Sequence, residues 1–227
     1  MMRRPLALTF VNAVLHWPIL LVYVVGSLHL PANLLMLTVV ASMLGSIVSE
    51  IYWGRRADAR GIRHVFLLFF AGSFALYPIL LFIPDYATTP TGSKQYIIGT
   101  VLLLTFYFLR GVLDAGHLMA ASMYRALYLN DAGGFHAVNL LTALDRLFTA
   151  VLTAVGGIIL VGFADQHITQ WGVLWIDPFR MITIVVMALT IAIGGRIAWG
   201  IRSGDSNLGV SAVNAVTSGG EGHGKRK

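Results

Sequence analysis

The sequence predicts an all-α membrane protein with six transmembrane helices and both termini in the cytoplasm. Three observations lead there. First, 57% of the 227 residues are hydrophobic and only 11% are charged, where a soluble domain carries about a quarter; the mean hydropathy is +0.76. Second, the chain divides into six apolar segments, each near the ~20 residues a helix needs to cross the hydrocarbon core. Third, the basic residues between those segments fall almost entirely on one side.

The first segment runs from about Leu6 to Leu28 and is broken by "LHLPAN". It begins like a signal peptide, with Arg3 and Arg4 ahead of an apolar run. That run is too long, and no small-residue cleavage site follows a short core, so it is expected to stay as a span. The second covers about Leu34–Trp53 and the third about Val65–Ile83, closed by Pro84. "DYATTPTGSKQ" is a polar turn before the fourth, about Tyr96–Ala121. "YLNDAGGFH" is a second turn before the fifth, about Val138–Val161, and the sixth covers about Val173–Trp199. The domain division is therefore residues 1–202 as the membrane domain and 203–227, small and polar, as a disordered cytoplasmic tail.

Orientation follows from the basic residues. Arg3, Arg4, Arg55, Arg56, Arg60, Arg63, Arg125, Arg196, Arg202, Lys225, Arg226 and Lys227 share the N-terminal side, whereas only Lys94 falls in an opposite loop. The positive-inside rule puts that rich side in the cytoplasm. Trp171 and Trp175, at the other face, suit an interfacial aromatic belt. The formal charge of +6 is explained by these loops without a nucleic-acid partner. Arginine far exceeding lysine, with frequent alanine and glycine, points to a bacterial inner (cytoplasmic) membrane. There is no cysteine, hence no disulfide and no thiolate metal site; "GFADQH" and "GHGKRK" offer no metal geometry. No nucleophile–base arrangement and no phosphate-binding loop is visible, so neither an enzyme nor a cofactor is expected.

The stretch "GRRADARGIR" between the second and third segments holds more than topology requires: Gly54, then Asp58, Gly61 and Arg63. This resembles the loop between the second and third spans of a major facilitator superfamily half, whose pattern is Gly, three residues, Asp, Arg, any residue, Gly, Arg, then Arg or Lys. Gly54, Asp58 and Gly61 match in spacing and Arg63 matches the last basic position. Ala59 and Ile62 replace two basic residues, and Arg60 stands where any residue is allowed. "FLRGVLDAGHLMAA" puts Arg110 in the fourth segment, similar to the family's arginine there; Asp114 replaces the expected glycine and Gly116 comes late. "TAVLTAVGGIIL" is similar to the family's fifth span but lacks the Gly-Pro pair of drug–proton antiporters. The resemblance covers residues 1 to about 202 and implies half of a major-facilitator-type fold. It implies further that Gly54, Asp58, Arg60, Gly61 and Arg63 form a cytoplasmic gate latch docking against another half; the alternative is a solvated basic turn.

Ionisable residues within spans are costly and mark candidate sites. Glu50, Arg110, Asp114, Asp145 and Arg146 are placed at one level just inside the basic loop. Their near-cancelling charges suggest pairing, and Arg110 and Asp114 are four apart on one helix face. Such a network either breaks and reforms with a gate or is static pairing. His117, one turn beyond, reads as a satisfied polar contact. His16, mid-span and beside Pro18, is a candidate for substrate contact or proton carriage, against a plain interhelical hydrogen bond. Asp177 and Arg180 suggest a local pair.

A complete family transporter has two six-span halves with substrate between them; this chain carries one, with no second copy of the basic loop. The resemblance therefore implies a half-size transporter of a small solute, acting in the bilayer as a homodimer or with a second six-span half. The alternative is a non-transporting membrane subunit or assembly factor that keeps the half-fold.

Overall fold

The computed structural model describes residues 28–129, 134–163, 169–171, 174–176 and 178–199. The first predicted span, with His16, and the tail 203–227 lie outside the described residues apart from Leu28.

The molecule is built almost entirely of helices. α1 is Ala32–Arg60, entered from Pro31 in extended conformation. It does not stop at Trp53 as expected but continues nearly two turns through Gly54, Asp58 and Arg60. The residues after Gly54 are mostly alanine and arginine, good helix formers, and Trp53 and Ala57 are buried on the packed face. The presumed loop is thus a helix end, and its link to the next helix is the single residue Gly61. There φ is 78° and ψ 165°, a region essentially reserved to glycine, and the Gly61 amide caps Ala57 O at 2.8 Å.

α2, Ile62–Leu76, starts three residues before the predicted third span. It passes into a 3₁₀ helix, Tyr77–Phe82. Pro78 explains the change: with no N–H it cannot bond back to the preceding turn. α3, Lys94–Leu129, is about 54 Å long at ~1.5 Å per residue and extends eight residues past the expected end at Ala121. The predicted turn "YLNDAGGFH" is therefore helical at both ends, since α3 includes Leu129 and α4 spans Gly134–Phe163. The predicted sixth span is also shorter than expected. Leu174–Ile176 forms β2, paired antiparallel to β1 (Thr169–Trp171), with Gln170 opposite Trp175. The β-branched and aromatic residues favour strands, and α5 begins only at Pro178 and runs to Trp199, proline being well suited to a first helical position.

Among the described residues, three stretches are long and apolar enough to cross a membrane: Ala32–Arg60, Ile62–Phe82 and Lys94–Tyr124. The chain is a multi-pass membrane protein. α1 packs mainly on α3, and α2 packs on α3 and α5. The α1–α3 seam is the tightest. A Cβ at Gly45 would strike the Phe108 carbonyl, and one at Gly111 would strike the Ser42 carbonyl, so each glycine lets the opposing backbone approach. Trp53 Nε1 donates to Val112 O at 2.6 Å and Ser49 Oγ to the same oxygen at 3.4 Å. The centre of the core is aromatic: Phe66, Phe69, Phe70 and Tyr77 from α2 and the 3₁₀ turn meet Phe106 and Leu103 of α3 and Met187 of α5.

Candidate functional site

The 3₁₀ turn after α2 is gripped by two buried arginines from two other helices. At its start, Arg110 of α3 donates from Nη1 to Tyr77 Oη at 2.6 Å, with its guanidinium 5.7 Å from the Tyr77 ring centre. Its Nε donates to Asp114 Oδ2 at 2.9 Å, one turn along the same helix. Arg110 is 5% exposed and the Asp114 side chain 22%. Tyr77 is held edge-on by Phe106, centres 5.9 Å apart. At the other end, Arg180 of α5 donates from Nη1 to Ile83 O at 2.7 Å and to Leu80 O at 3.3 Å. Leu80 O also accepts the Ile83 amide at 3.4 Å, so the Arg180 fork adds to the last backbone bond of the turn and caps the Ile83 carbonyl beyond it.

Chemically, Arg110–Asp114–Tyr77 is a charge-assisted chain, with a cation held between a carboxylate and a phenol. Buried in the protein, it is a strong and directional arrangement. His117 lies one turn beyond Asp114, 2% exposed, tilted against Phe69 at 4.3 Å and edge-on to Phe66 at 5.6 Å between ring centres.

Of the five residues expected at this level, Arg110 and Asp114 are joined. Glu50 is exposed on α1, while its neighbours Ser49 and Trp53 turn toward α3. Arg146 is exposed on α4 and Asp145 half-buried, its carbonyl accepting from Thr149 Oγ1 at 2.8 Å. The spread has a simple cause: equal depth does not set the helical face, and α1 presents position 49, not 50, to its neighbour. Tyr77 was missed because a tyrosine in an apolar run gives no charge signal. Arg180 was found but was paired by spacing with Asp177, which lies outside the described residues.

At the arginine-rich end, Asp58, Arg55 and Arg60 are exposed on the last turns of α1, and Arg56 is half-buried with its guanidinium 5.8 Å from the Tyr52 ring centre. Arg60 Nη1 donates to His64 Nε2 at 3.5 Å. Arg63 lies over the Trp199 ring of α5 at 4.9 Å. Gly61 makes the corner with its positive φ of 78°. Gly54 does not create a close approach, since an added Cβ would meet only Met119 Cε at an ordinary 3.8 Å. Close-packing glycines include instead Gly45 and Gly111, Gly116 under the Trp53 ring and Gly99 against Pro84.

The opposite end holds a structured loop rather than a simple turn. Asp85 is 4% exposed. Its Oδ1 accepts from Ala87 N at 3.0 Å and lies 3.1 Å from His29 Nδ1. Tyr86 N donates to Leu28 O at 3.1 Å, and burial holds the Tyr86 hydroxyl above the ordinary tyrosine range. The signal was present in "IPDYA": an aspartate after proline whose side chain can bond two residues on. Among the described residues, no group of three or more His, Cys, Asp or Glu could hold a metal ion.

No family model matches the chain, and no curated protein and no solved structure is significantly similar to it.

Proposed function

We propose that the chain is a half-size, major-facilitator-like membrane transporter of the bacterial inner membrane. It moves a small solute by alternating access together with a second half, either another copy of itself or a separate six-span chain. The observation that supports this most is the placing of Asp58. The carboxylate is exposed on the last turns of a membrane-length helix, at a corner fixed by the left-handed Gly61 and flanked by arginines. An acid held there can accept from a helix N-terminus of a second half. Closing one face of the membrane is then the making of that contact, and opening is its loss. The α2 segment that follows the corner ends in the 3₁₀ turn gripped by Arg110 and Arg180, so a tilt at Gly61 is carried through α2 to a second fixed point.

Uptake by proteoliposomes of the full chain, with a panel of labelled small solutes, tests the reading. Uptake in the wild type and altered closure in Asp58→Asn, read as labelling of a cysteine at exposed Arg55, is the expected result. A chain that moves none of the solutes and co-purifies within a larger membrane assembly would instead support the non-transporting subunit.

A further inference from the structure

We propose that the corner where α1 ends, α2 begins and α5 ends is a binding site for an anionic phospholipid, with its phosphate held beside Trp199 and an acyl chain laid along α5. Three features place it. The first is charge. Arg55, Arg56, Arg60 and Arg63 come from the α1–α2 corner and Arg196 from the last turn of α5, whereas Asp58 is the one acid among these described residues. A corner with this excess draws an anion, and clusters of basic residues at the membrane surface select anionic headgroups.

The second is height. Trp199 is 68% exposed at the end of an apolar helix, and exposed tryptophans at helix ends lie at headgroup level. Arg63 reaches across from α2 to lie over that indole at 4.9 Å, which orients its planar fork. Arg196 precedes Trp199 by three residues, so both flank the same face of α5 and both are exposed. Two arginines therefore stand at headgroup level, Arg63 over the ring and Arg196 one turn earlier on the helix that carries it.

The third separates a lipid from a free anion. Below Arg196, Ile193, Leu189, Val185 and Met181 repeat every four residues and are 54%, 60%, 51% and 46% exposed. This is a continuous apolar stripe running from the arginines down the helix. A phosphate ester with acyl chains satisfies both the cations and the stripe; inorganic phosphate satisfies only the first. The proposal is independent of transport activity.

The test uses the full-length protein equilibrated with vesicles of phosphatidylcholine containing a minor share of phosphatidylglycerol. The lipid retained after mild detergent extraction is then quantified by native mass spectrometry. The wild type is expected to retain phosphatidylglycerol in preference to phosphatidylcholine. Arg196→Gln should lower the preference about fivefold, and Arg63→Gln/Arg196→Gln should nearly abolish it, each arginine contributing roughly that factor. Arg146→Gln, which removes the same charge from an exposed position on α4, a helix that does not form the corner, should leave it unchanged. Arg196 is exposed on a last turn, so its single variant keeps the fold, checked by circular dichroism. The proposal fails if Arg196→Gln retains phosphatidylglycerol like the wild type, or if Arg146→Gln loses as much. It also fails if millimolar inorganic phosphate displaces the lipid, which would make the corner an anion site only.

Discussion

At the scale of single residues, Arg110 carries the most consequence. Its cation is buried between Asp114 and Tyr77, so removing any member leaves a polar group in an apolar setting. Arg110→Gln or Asp114→Asn should cost about 3–5 kcal/mol, the range found when one partner of a buried pair is lost. Tyr77→Phe keeps the ring and removes one bond to a charged group, for about 1.5–3 kcal/mol. A double-mutant cycle between Arg110 and Tyr77, read by thermal unfolding in mild detergent, should show strong coupling. Additive effects would mean that the 2.6 Å contact contributes little. Gly61 is a second single-residue device. With φ 78° and ψ 165°, Gly61→Ala is expected to cost about 1–3 kcal/mol by backbone strain alone. The same change at Gly54, in ordinary helix with only a 3.8 Å neighbour, should be neutral or slightly stabilising through helix propensity.

At the scale of elements, the α1–α3 seam and the 3₁₀ turn are the features that sequence patterns reveal least. Hydropathy located the apolar stretches of five of the helices because apolar length is a property of composition. It missed their ends, since "GRRADAR" and "SMYRALYL" are polar enough to look like loops yet helical in propensity. Equally, "GVLWI" is apolar enough to look like a span, but its Leu174–Ile176 is a strand paired with Thr169–Trp171. Arg110 and Asp114 were legible from their i,i+4 spacing, but Glu50 and Arg146 were misgrouped because depth along a helix does not report its facing. Gly45 and Gly111 were passed over, because only the partner helix shows that their missing side chains face carbonyls. Gly45→Leu should therefore separate α1 from α3 and break the Trp53–Val112 bond; loss of the folded fraction, or a large drop in melting temperature, is the expected reading. At the 3₁₀ turn, Arg180→Met keeps much of the side-chain length but removes the donors to Leu80 and Ile83. Amide exchange over residues 79–83 should rise while α1 stays protected. Unchanged exchange there would show that Pro78 and packing alone hold the turn.

At the scale of the whole molecule, the question is what covers the exposed face of α1. α1 exposes Met36, Val40, Met43, Ile47, Val48 and Ile51 over most of its length, as a lipid-facing helix would. Glu50, however, is exposed in the same stretch, about 15 Å from Arg60 at ~1.5 Å per residue. An ionisable group at that depth is costly against acyl chains and cheaper against protein or water. On the proposed function, a second half would supply that cover and would also give Asp58 its docking partner, since both residues belong to α1. Two identical halves would then be related by an axis along the membrane normal, with all arginine-rich corners on one side, as the bias of arginines at that end requires. Two measurements follow. A cysteine at exposed Thr91 should be labelled by an impermeant reagent in intact cells, while one at exposed Arg55 should be labelled only after permeabilisation; the reverse pattern would sink the orientation. Mass measurement from native membranes should find two halves together, and Glu50→Leu, which makes the face compatible with lipid, should shift the balance toward single chains. A single chain that transports at high density in lipid would refute the two-half mechanism, because one half leaves the solute path open to acyl chains along its whole inner side.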